Sequence, residues 1–257
     1  MSVLSAVVEA TRSGRVEILD LTTPLQSSTP ILELPPPFAN THRFELELLS
    51  RYDEAGPAWY WNDIHTGEHT GTHLDAPVHW ITGRDGPDVS QAPMTTLVGP
   101  VAVIDMTAEV EKDADFLLEI DHVRAWEAEH GALPDGGWLL YRTGWAARGD
   151  DAAAFANADE SGPHTPGVSV ECARWLARDT PITGFGVETV GTDAGAAHSF
   201  EPAFPCHSEL MGANKWGLTS LRGLDRLPPT GAVLIVCPLP IVGGSGSPAR
   251  VLALVER

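Results

Sequence analysis

Residues 67–80 read GEHTGTHLDAPVHW and place His69, His73, Asp75 and His79 within eleven positions of a chain that has ten histidines in all. This stretch limits the backbone more than any other. In a regular helix His69 and His73 would share a face, but Asp75 would point almost opposite His73. In a regular strand all four would share a face, yet His69 and His73 would lie roughly 13 Å apart. A single ion takes its ligands at about 2.0–2.2 Å. The four groups can converge only if the chain bends between them. Gly71 and Pro77 sit where those bends are needed: glycine reaches backbone angles closed to other residues, and proline fixes φ at a turn.

The chemistry of the set agrees with its spacing. Imidazoles and a carboxylate suit zinc, manganese or iron, and an incomplete protein shell leaves positions for water and substrate. His69, His73 and Asp75 read as ligands. His79, with an ordinary pKa near neutrality, reads as the group that takes a proton from water.

Apolar, β-rich runs recur at 16–21, 58–64, 97–106, 137–145, 182–190, 231–241 and 250–255. Helix-like segments lie between some of them. Residues 121–131 begin with Asp and end with Gly, and 169–179 begin with Ser169. The mixture predicts an α/β fold with a mixed sheet and one domain over residues 1–257, without clean βαβ alternation. Long Pro/Gly-rich loops at 22–41 and 191–206 are expected to shape a site or an interface. The proline-stiffened PILELPPPF (30–38) is expected to line a pocket or cross to a partner subunit. Residues 1–19 read as a short amphipathic helix rather than a signal peptide.

A net charge of −19 with no Lys/Arg cluster argues against nucleic acid and anionic membranes. No apolar run reaches membrane-spanning length. Cys172, Cys206 and Cys237 are widely spaced, which suits a reducing, cytoplasmic setting.

HTGTHLDAPVH (69–79) resembles the HxGTHxDxPxH signature of the cyclase superfamily of metal-dependent hydrolases, which includes bacterial kynurenine formamidases and isatin hydrolases. The likeness runs nearly end to end and is nearest to the isatin hydrolases. It implies a swivelling β/β/α fold and a homodimer acting on a small molecule. Carried over, His69, His73 and Asp75 are metal ligands and His79 is the catalytic base. His207, in FPCHSELM, matches the distal histidine facing the metal. Kynurenine formamidases carry a glutamate for a second zinc twelve residues later, where this chain has Thr219. Ser220 matches a serine of a water and proton path. The resemblance thus implies one divalent ion per subunit, manganese ahead of zinc, and hydrolytic opening of a cyclic amide, isatin to isatinate. An arylformamidase acting on N-formylkynurenine, or a lactone hydrolase, is the alternative on the same site. Trp80 is a candidate wall for a flat substrate, ahead of Trp61 and Trp145. Asp63 and His65 are candidate pocket contacts, and Glu188 and Asp193 are carboxylates without an assigned task.

Overall fold

A computed structural model describes residues 2–257. Its centre is an eight-stranded mixed sheet. In spatial order the strands are β1 (Val16–Asp20), β14 (Gly246–Glu256), β13 (Ala232–Pro238), β5 (Val98–Asp105), β7 (Trp138–Arg142), β11 (Gly184–Val187), β12 (Trp216–Thr219) and β4 (His73–Asp75). β5, β7, β11 and β12 run parallel, and the remaining neighbours pair antiparallel. β4 also pairs with the first residues of β14, so the sheet curls round and closes on itself there.

The central strands read as continuous apolar runs because both of their faces are buried. Val101 and Val103 of β5, Trp138 and Leu140 of β7, and Trp216 and Leu218 of β12 enter one core with Leu74, Leu234 and Val251. Ala102, Ile104, Leu139, Tyr141, Phe185 and Val187 enter a second core on the opposite face. Two helices cover that second face. Ile120–His130 supplies Val123 and Trp126, and Val170–Arg178 supplies Cys172, Ala173 and Leu176. Ser169 caps the second helix as expected, accepting from the Cys172 amide at 3.2 Å while its hydroxyl donates to Glu119 Oε2 at 2.6 Å. The first helix starts one residue early. Its capping pair is Glu119 and His122, and Asp121 lies in the first turn.

Two short pairs complete the strands: β6 (Leu117–Leu118) with β10 (Gly167–Val168), and β8 (Ala158–Asp159) with β9 (Gly162–Pro163). β2 (Glu45–Asp53) and β3 (Gly56–His65) form a hairpin that pairs with no other strand. Residues 22–41 carry no helix or strand, and the helix Val3–Arg12 is amphipathic with no buried residue. No helix among the described residues is long and apolar enough to cross a membrane.

Candidate active site

The bends required of residues 67–80 are present. Gly71 has φ of +64°, and Pro77 opens a short 3-10 turn, Pro77–His79. Between them β4 is wedged between β12 and the start of β14. Leu74 points into the core, so period-two geometry turns His73 and Asp75 to the other side, both buried. Asp75 lies opposite Gly217 on one neighbour and Gly246 on the other. A Cβ at Gly246 would meet His69 Cε1 at 2.5 Å, and one at Gly217 would meet Asp75 Oδ2 at 2.9 Å. Two glycines from distant strands clear the space in which the site is built.

Asp75 Oδ1 is the focus. His69 Nδ1 lies 2.7 Å from it and His73 Nε2 3.2 Å. The outer nitrogens of both rings are committed elsewhere. Ser245 donates its hydroxyl to Glu68 Oε2 at 2.6 Å, so it accepts from His69 Nε2 at 2.9 Å. His73 Nδ1 donates to the Gly71 carbonyl at 2.7 Å, and the Thr219 hydroxyl also contacts this ring. When neutral in these tautomers, both rings turn the lone pairs of His69 Nδ1 and His73 Nε2 toward the same carboxylate oxygen, and the Thr219 hydroxyl lies 3.1 Å from Nε2 as well. Such a meeting of acceptors is unfavourable unless a proton or a cation lies among them. Among the described residues, no Lys or Arg pairs with Asp75, which is 1% exposed. Two imidazoles and a buried carboxylate, oriented by outer hydrogen bonds, fit a divalent ion. Burial opposes ionisation of Asp75, but His73 and His69 outweigh it and hold the carboxyl well below its ordinary range.

His79 returns over the same place. Its ring centroid is 4.0 Å from that of His69, and one donor atom each from His69, Asp75 and His79 lies within 4.8 Å of the others. Burial pushes His79 down to about 4, Asp75 opposes this, and the neighbouring imidazoles reinforce it. Its ring is therefore uncharged at neutral pH.

His207 faces this group from a π-helical segment, Cys206–Met211, with its ring 5.5 Å from His79 and 4.8 Å from Trp80. Single π turns are frequent at functional sites. Glu209 anchors the segment to the helix Val170–Arg178 by accepting from Arg174 Nε at 3.0 Å and from Arg178 at 2.8 Å. Burial lowers the basicity of His207, but Asp193 more than compensates and raises it above its ordinary value. Trp80 also packs edge-on against Phe204, which makes an aromatic wall beside His79 and His207.

Other candidates lie apart. Ser220, at φ of +51°, stands behind the imidazole group. Its carbonyl accepts from Thr72 at 2.6 Å and Thr23 at 3.1 Å, while its hydroxyl faces the Thr189 carbonyl and a small cavity shared with Glu188. Glu188 holds the 143–145 turn by accepting from the Thr143 amide at 2.7 Å and the Trp145 amide at 3.2 Å. Trp145 is core, and Trp61, Asp63 and His65 belong to the β2–β3 hairpin. Sequence reasoning missed Ser245, Glu68, Gly217 and Gly246. None carries a local signal, because each acts through a strand pairing or contact more than a hundred residues away, or through a serine so placed.

A curled mixed sheet carrying this open His/Asp set beside a neutral histidine defines a metal-dependent hydrolase type of site. The chain belongs to the Cyclase family, whose model, described as putative cyclase, matches residues 19–194. It is 48% identical to the isatin hydrolase of Roseibium aggregatum, over 100% of this chain and 98% of the relative. A solved isatin hydrolase bound to the product analogue thioisatinate superposes with a TM-score of 0.96 at 48% identity, covering 100% of both chains. The kynurenine formamidase of Salinibacter ruber is 28% identical over 71% of this chain and 74% of its own length.

Proposed function

We propose that this protein is a metal-dependent hydrolase that opens the five-membered lactam of isatin to isatinate. The observation that carries the reading is the convergence of His69 Nδ1, His73 Nε2 and Asp75 Oδ1, with the outer nitrogens of the two rings held by Ser245 and the Gly71 carbonyl. The full-length likeness to isatin hydrolases supports the substrate.

His69, His73 and Asp75 hold one divalent ion per chain, manganese ahead of zinc; both accept imidazole and carboxylate ligands. When bound, such an ion polarises an amide carbonyl and lowers the pKa of water from 15.7 toward about 7. Thr219 offers His73 a neutral hydroxyl where a second ion would need a carboxylate. Uncharged His79 takes the proton from the attacking water as its oxygen bonds to the amide carbon. The carbon–nitrogen bond then breaks, and the ring nitrogen leaves as an arylamine after receiving that proton. His207, doubly protonated with Nδ1 on Asp193, donates a hydrogen bond from Nε2 to the new carboxylate, and Trp80 stacks against the flat ring. Ser220, on its cavity with Glu188, passes protons away from the site.

The active form is a homodimer. Supporting this, the β2–β3 hairpin and the neighbouring loop expose Leu48, Tyr52, Trp61, Ile64, Leu32 and Phe38, large apolar side chains of the kind that mark an interaction surface. Its setting is the cytoplasm, consistent with three free cysteines.

The test is the loss of isatin absorbance by protein purified with manganese, with N-formylkynurenine in parallel. Isatin opening that stops with a chelator supports the proposal. Formamide cleavage without isatin turnover would assign the arylformamidase alternative instead.

A further inference from the structure

The carboxylate of Asp193 gathers three donors at one point. Oδ1 accepts from the Cys206 amide at 2.7 Å. Oδ2 accepts from the His207 amide at 3.1 Å and from His207 Nδ1 at 2.5 Å. Asp193 and the His207 side chain are both largely buried. The same carboxylate therefore fixes the start of the π-helical segment and the ring it carries. Two amide contacts leave the carboxylate little freedom to rotate, and the ring must follow it. With Nδ1 occupied, Nε2 is the nitrogen left to face His79 and Trp80.

We propose that Asp193 is the positioning residue of this site: it locks the His207 ring with Nδ1–H on its carboxylate, so that in the doubly protonated ring Nε2–H points into the pocket as the donor to the carboxylate that ring opening creates. This rests on the hydrolase reading and extends it to product recognition and release. A donor to a developing carboxylate serves best when its partner across the ring is anionic, because a hydrogen bond to a charged group is worth more than a neutral one. Isatin itself is uncharged. Asp193 thus bears more on the anionic product and the step that forms it than on substrate capture.

The experiment combines Asp193→Asn, His207→Ala and the double variant with two readouts. In the holoenzyme, Asp193→Asn is expected to weaken inhibition by isatinate by about 10- to 100-fold and to lower kcat, with KM for isatin little changed. In the His207→Ala background the same substitution should change these constants by no more than about twofold. An undiminished loss in that background would overturn the proposal, because Asp193 would then act only through the two backbone amides. The second readout needs no turnover: nitrogen-15 NMR of the wild-type ring should show His207 Nδ1 protonated and strongly hydrogen-bonded, a signature lost in Asp193→Asn. A bare Nδ1 in the wild type would also overturn it. If isatin were not hydrolysed at all, the functional reading would fail while the NMR signature still decided the positioning role.

Discussion

Residues 45–65 and 66–80 are neighbours in the chain and opposites in environment. In the second stretch every ring has a partner from the body of the protein. His69 meets Ser245, His73 meets Thr219, His79 faces His207, and Trp80 packs on Phe204. In the first, Trp59, Tyr60 and Trp61 are about half exposed, and the two strands pair only with each other. An isolated two-stranded hairpin is marginal in water. The contrast teaches where the order of each part originates. The site is assembled within one chain from strand register, whereas the hairpin's apolar side chains find no comparable cover among the described residues.

The comparison can be broken or sharpened at several points. The largest effect is expected for Asp75→Asn, which removes the one charge on which His69 and His73 converge. Activity should fall to the uncatalysed background and the purified protein should lose its metal, as elemental analysis will read. Next comes Gly246→Ala, a methyl group placed 2.5 Å from His69 Cε1 and 2.7 Å from the Leu74 carbonyl. Overpacking of this kind costs about 1–3 kcal/mol, read in denaturant melts, and displacing His69 should cost about 10²-fold in kcat/KM. On the hairpin, Leu48→Ser with Trp61→Ser should weaken self-association by about 30-fold in sedimentation equilibrium. The melting of the sheet should be nearly unchanged. A wild-type chain that sediments as a monomer at all concentrations would overturn the proposed homodimer.

Much of this was readable before any coordinates. All seven apolar runs contain strands, and both helical segments lie within a residue of their expected starts. The bends at Gly71 and Pro77 followed from the geometry of ligand spacing alone. β2 escaped because ELELLSRYD places charges among its leucines, and a hairpin exposed on both faces has no inward alternation to show. The π-helical segment escaped because its geometry is set by Asp193 capping it from another loop. Asp193 lies fourteen residues before His207, and only the fold closes that distance. Gly217 and Gly246 matter because of register, which a strand pattern does not reveal.

The central claim is that His69, His73 and Asp75 hold the ion while His79 moves the proton. His79 also lies close enough to Asp75 to join the ligands. The most direct test is the metal content of His79→Ala, measured alongside its isatin turnover. The account expects one ion per chain retained and activity reduced by about 10²–10⁴-fold. A variant that lost its ion together with its activity would place His79 in the metal shell and contradict the assignment.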